Sequence, residues 1–271
     1  MLKHCHENLI YLIFYKIVAA LAVDRNERIS EMAETIYTIP INEAFDACAE
    51  DGICECPLCR LYDKFENDEL ELILGASMME PDVRIKTNEQ GFCREHYGMM
   101  LERKNRLGMA LMLQSHLEEL SGSFSGGVSD LVRGVGASLS SRLVTLENSC
   151  YVCGRIDHSF EKMLENVLYL WENDSEFRKK TSAQKMFCLP HFRMLTELAR
   201  KRLSKKKFTD FYRSVADVTD GYLKQLRGDI DLFCRKFDYR YQDEPWGNAK
   251  DLVERAVKFL SGDIHRQINK K

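Results

Sequence analysis

The chain has 271 residues, of which 45% are hydrophobic and 30% charged, and its net charge is −3. That composition belongs to a soluble globular protein with room for one large or two small cored domains, and it excludes a disordered chain. The near-neutral total hides a split: residues 1–150 hold 14 Lys+Arg against 24 Asp+Glu, a net of −10, and residues 151–271 hold 25 against 18, a net of +7. Charges divided in this way let two halves pack on each other, or leave a basic face on the second half for a partner.

Residues 1–31 differ from the rest. The apolar run Leu9–Val23 with Ala20-Leu21-Ala22 resembles an export signal. Against that, Glu7 precedes the run and Lys16 interrupts it. A Lys at the centre of a membrane helix costs about 2.5–3.5 kcal/mol, and the run is short for a span. A peripheral helix, or a translation start at Met32, accounts for the segment better, and no membrane span is expected. His4-Cys5-His6 could ligate a metal, though such a trio in a terminus usually does not.

Ile39-Pro40-Ile41-Asn42 marks a helix start with Asn42 as its cap, and Ile41, Phe45 and Cys48 form its apolar stripe. After Asp51-Gly52, Leu58, Leu61, Tyr62 and Phe65 predict a second helix. A short helix runs from Pro81 to Asn88, and a long one from about Arg94 to Leu120. Ser121–Ser149, with five glycines and many serines, reads as a flexible linker with one weak helix near its end. Phe160, Met163, Leu164, Val167, Leu168 and Trp171 then define a buried helical stripe. Pro190 places a helix start at Cys188. Apolar residues from Phe208 to Phe237 give a helix near thirty residues long, bent at Gly221 or Gly228, and a last helix from Ala249 stops at Gly262. No strand pair is predicted, so the fold class is all-α.

Four short motifs organise this chain. Cys56-Pro57-Leu58-Cys59 precedes Cys93-Arg94-Glu95-His96, and Cys150-Tyr151-Val152-Cys153 precedes Cys188-Leu189-Pro190-His191, with 33 and 34 residues between CxxC and CxxH. A shift of 94 positions also lays Leu70 on Leu164, Ile73 on Val167, Leu74 on Leu168 and Arg84 on Arg178; a shift of 95 lays Phe92 on Phe187 and Met99 on Met194. This is an internal duplication. It divides the chain into an extension, 1–31, a first helical repeat, 32–121, a linker, 122–149, and a second repeat with C-terminal helices, 150–271.

Each copy supplies three thiols and one imidazole, the donor set of a closed tetrahedral metal site. The expectation is one site per copy: Cys56, Cys59, Cys93 and His96 in the first, Cys150, Cys153, Cys188 and His191 in the second, with two Zn2+ per chain. An iron–sulfur cluster is the rival cofactor, since thiolates hold it too. A redox dithiol at Cys56-Pro57-Leu58-Cys59 would need a βαβ context that is absent. Cys54 has no counterpart in the second copy, Cys234 reads as a buried thiol, and His116 and His158 as satisfied core or boundary residues. Arg200-Lys201-Arg202 and Lys205-Lys206-Lys207 read as a solvated helix junction, with no base-reading pattern beside them. No catalytic set, Walker loop or HExxH is present.

Ile39-Pro40-Ile41-Asn42-Glu43-Ala44-Phe45, Cys-Pro-Leu-Cys, Gly-Phe-Cys-Arg-Glu-His and Phe-Cys-Leu-Pro-His together resemble a bacterial family known only as a domain of unknown function. Its members are sometimes labelled ABC-transporter-related. The resemblance covers about Thr35 to Gly262, leaves out 1–31, and implies a cytoplasmic protein without supplying an activity. The reading that follows is a zinc-stabilised, non-enzymatic helical protein that binds a macromolecular partner, a protein rather than nucleic acid. The alternatives are an iron–sulfur or thiol-based sensor and an enzyme with a pocket between the two halves.

Overall fold

Apolar positions three and four apart fold into eleven α-helices and no strand among the described residues of this computed structural model, which are 38–49, 56–124, 135–241 and 244–262. The readings of residues 1–31, of Cys54 and of the Asp51-Gly52 turn lie outside them. In chain order the helices are α1 (38–49), α2 (Pro57–Leu74), α3 (Pro81–Gln90), α4 (Arg94–Glu102), α5 (Arg106–Phe124), α6 (Val135–Asn148), α7 (Tyr151–Asn173), α8 (Ser175–Ser182), α9 (Leu189–Arg202), α10 (Lys205–Arg235) and α11 (Leu252–Ser261). None is long and apolar enough to cross a membrane.

The duplication is visible as order and as detail. A CxxC helix, a short helix, a CxxH helix and a longer helix follow one another twice, as α2–α5 and as α7–α10. Of the apolar pairs matched in the sequence, Leu70 with Leu164, Ile73 with Val167, Leu74 with Leu168 and Phe92 with Phe187 are buried, and Met99 with Met194 is partly buried against the core. Arg84 Nε donates to the Met78 carbonyl, and Arg178 donates to the carbonyl of Glu172, which occupies the equivalent place. Thr87 and Thr181, also equivalent, are both buried and each bonds a carbonyl of its own helix.

The copies are interleaved rather than juxtaposed. α2 lies along α7 at the centre, so the two CxxC helices form the heart of one continuous core. α1, which precedes the first CxxC, packs on α8 of the second copy: Phe45 meets the Phe177 ring at 4.8 Å, Gln184 Nε2 donates to the Phe45 carbonyl, and Lys180 pairs with Asp46. α6, which precedes the second CxxC, packs on α3 of the first copy, and its Arg142 pairs with Glu119 of α5. Ion pairs joining the halves are few among the described residues, Arg155–Glu69 and Lys180–Asp46, so apolar burial rather than the charge split carries the association.

Some expectations are corrected. Asn42 is not a cap: it lies inside α1 and its side chain donates to the Thr38 carbonyl. The helix expected from Arg94 to Leu120 is two, because Asn105 starts a new one by accepting from Gly108 N–H, while its own amide donates to the Leu74 carbonyl. Gly108 sits so close to that carbonyl that a Cβ would come within 2.7 Å of it, so no other residue fits there. The helix expected from Phe208 to Phe237 starts earlier, as α10 running 31 residues through Gly221 and Gly228, and it packs on α8, α9 and α11. The outer positions of α11, Val253, Val257 and Leu260, are exposed.

Candidate metal centres

All four motifs stand at helix N-termini. Cys56, Cys93, Cys150 and Cys188 are the N-caps of α2, α4, α7 and α9, and Cys59, His96, Cys153 and His191 follow one turn later. The i, i+3 spacing puts both donors of a motif on one side of the first turn. There the unpaired backbone N–H groups and the helix dipole favour thiolate. His96 N–H, for example, points at Cys93 Sγ, 3.5 Å away.

The eight predicted residues do gather into two four-donor clusters, but the pairing expected from the sequence is wrong. Cys56 and Cys59 meet Cys188 and His191 of the other copy, and Cys150 and Cys153 meet Cys93 and His96. We call the first centre A and the second centre B. The exchange follows from the interleaving. Each short helix packs against the other copy and delivers the CxxH that follows it to the far CxxC. At centre B the junction is fastened by Tyr151 N–H donating to the Gly91 carbonyl at 2.9 Å and Ser149 Oγ donating to the Gln90 carbonyl at 2.7 Å. Gly91 has φ +61, with Leu146 of α6 so near that a Cβ would lie 3.2 Å from it, so only glycine turns the chain into Cys93 here.

Within each centre the four donor atoms lie within 4.8 Å of one another. In centre A, Cys59 Sγ is 3.6 Å from Cys188 Sγ, and His191 Nδ1 is 3.7, 3.4 and 3.2 Å from Cys56, Cys59 and Cys188. In centre B, Cys93 Sγ is 3.8 Å from Cys153 Sγ, and His96 Nδ1 is 3.1, 3.3 and 3.2 Å from Cys93, Cys150 and Cys153. Metal bonds of about 2.3 Å to sulfur and 2.0–2.1 Å to nitrogen place tetrahedral donors about 3.5–3.8 Å apart. The clusters are of that size. They could each hold one metal ion.

Charge points the same way. In centre A burial pushes the Cys56 thiol up, but hydrogen bonds from Cys188, Cys59 and His191 outweigh it and hold Cys56 well below its ordinary value. Contact with the Cys188 and Cys56 sulfurs, together with burial, raises Cys59, and contact with Cys56, together with burial, raises Cys188. Bonds from Cys150 and Cys153 hold Cys93 low in centre B. Burial would lower His96, yet its bonds to Cys150, Cys93 and Glu66 push it up to about 11. Three thiols this close ionise together only around a cation, and a divalent ion supplies the charge that the array draws.

Glu66 was not singled out by the sequence reading. It is a buried carboxylate on α2 whose Oε1 accepts from His96 Nε2 at 3.1 Å. Its signal was a charged residue inside the apolar stripe of α2, at the position that the 94-residue shift lays on Phe160. Other candidates fall away. Cys234, expected to be buried, is exposed, and all six cluster thiols are free, while Cys48 is disulfide-bonded and belongs to neither cluster. His158 is exposed rather than a core or boundary residue, and His116 is half-buried with its Nδ1 unpartnered. The basic run at 200–207 is an exposed helix junction, with Arg202 on Glu165 and Lys207 on Glu172. One surface cleft is lined by Ser182, Ser214, Asp217 and Tyr222, and another by Pro40, Glu43, Arg60 and Lys64, each within one half of the chain.

The sequence model of DUF6062, a family of unknown function, matches residues 32–267. No curated protein and no solved structure matches the chain.

Proposed function

The chain belongs to this family of unknown function, and we propose that it is a zinc-stapled helical protein, not an enzyme, whose two ions tie the two copies into one folding unit that receives a macromolecular partner. One observation carries this reading: both Cys3His sets are closed, built across the copies, and buried except at the partly exposed Cys93. Four protein donors leave no open coordination position for a substrate, which is the signature of a structural ion. The donor spacing also favours a single ion over an iron–sulfur cluster, whose cysteines stand apart around a larger inorganic core. The basic junction at 200–207, two of whose cations pair with Glu165 and Glu172, reads as a solvated helix junction rather than a nucleic-acid site.

Elemental analysis of protein purified without chelator tests the reading. Two zinc ions per chain in a colourless protein are expected, with chelation lowering the melting temperature, because metal binding and folding are coupled. A brown protein with iron and sulfide, or a chain that purifies and melts unchanged without metal, would refute it.

A further inference from the structure

The duplication supplies an internal control, because the two centres share donor types, helix termini and spacing but differ in what stands behind the histidine. In both, Nδ1 faces the sulfurs, so an ion held there leaves the ring hydrogen on Nε2. At centre B that hydrogen is donated to Glu66 Oε1 at 3.1 Å, with both side chains buried. At centre A the equivalent of Glu66 is Phe160, whose ring centroid lies 5.1 Å from that of His191. His191 is fully buried, at 0% exposure, and its Nε2 has no hydrogen-bond partner.

We propose that Glu66 is a positioning residue that makes centre B the tight metal site, and that Phe160 leaves centre A the looser, exchangeable one. The proposal rests on the reading that both centres bind a zinc-like divalent ion. A carboxylate on the far nitrogen of a ligating histidine fixes its tautomer and orientation and raises its basicity. Loss of such a partner weakens metal binding by about 10- to 100-fold. Centre A lacks it and also keeps a buried N–H unanswered, which favours no bound geometry over another. One feature opposes the ranking. Cys93 of centre B is the one partly exposed ligand, so chelators and oxidants reach centre B more easily. Exposure governs how fast an ion is attacked, whereas Glu66 governs how tightly it is held. The two effects separate in an equilibrium measurement.

Cobalt(II) titration of the full apo chain against a competing chelator, followed by thiolate-to-cobalt absorption, reads both affinities and the total stoichiometry. Two ions should bind in two steps separated by about 10- to 100-fold. Glu66→Leu, which keeps the volume and removes the acceptor, should weaken the tighter step towards the looser one, and Glu66→Gln, which keeps an acceptor oxygen, should recover part of it. If Glu66→Leu fails to fold, Cys150→Ser serves instead, and it should delete the tighter step and spare the looser. Two ions of equal affinity in the wild type, or loss of the looser step in either variant, overturn this proposal alone. Fewer than two ions overturn the two-ion reading and the proposal with it.

Discussion

Cys188→Ser is expected to release the ion of centre A and to loosen both copies at once. Cys188 is fully buried at the N-cap of α9, 3.6 Å from Cys59 Sγ and 3.2 Å from His191 Nδ1. A serine hydroxyl at that point is a poor zinc donor, and three remaining ligands do not close the site. The cost should exceed about 4 kcal/mol, a range that few mechanisms other than loss of a metal, a disulfide or core packing reach. Amide hydrogen exchange reads where the loss falls. Protection should drop together around 56–62 and 188–195, which are distant in sequence and share centre A, while 93–97 and 150–156 around centre B keep theirs. If each copy held its own ion, protection would fall at 150–153 and 188–195 and survive at 56–62.

Phe177→Ala should have the second largest effect. Phe177 is completely buried on α8 and meets the Phe45 ring at 4.8 Å, and Phe45 in turn lies 6.3 Å from Phe187. Truncating a buried Phe to Ala costs about 3–5 kcal/mol through lost transfer energy and the cavity left behind. In a domain of this size each kcal/mol moves the melting temperature by about 2–4 °C. The equivalent first-copy change, Val83→Ala, should cost far less, since Val83 is smaller and only partly buried against the core. Because Phe45 belongs to α1 and Phe177 to the second copy, Phe45→Ala should be non-additive with Phe177→Ala, each removing half of one contact. Thermal melts of the single and double variants check this, and additive losses would show that α1 does not seat on α8.

The helices were legible because their causes are local. The stripe Phe160–Trp171 and the stop at Gly262 reappear as written, Gly262 with φ +71. The eight donors were legible too, since their type and spacing are chemistry that a chain seldom repeats by accident. Their pairing was not. The intervals of 33 and 34 residues are the same whether a CxxH returns to its own CxxC or crosses to the other, and the choice is made by Phe45 on Phe177 and by Leu146 over Gly91, contacts between residues far apart in the chain. Asn105 was a missed signal of a different kind: it is a capping residue type in the charged stretch Glu102–Arg106, and tertiary contact with Leu74 makes it a break. Glu66 could have been found by laying one copy on the other and asking why a carboxylate replaces a phenylalanine.

The crossing of ligands between copies is tested most directly by cadmium-113 substitution and proton–cadmium correlation spectroscopy, in which each ion couples to the protons of the residues that bind it. One cadmium should correlate with Cys56, Cys59, Cys188 and His191, and the other with Cys93, His96, Cys150 and Cys153. A cadmium that correlates with Cys56, Cys59, Cys93 and His96 together would contradict the account.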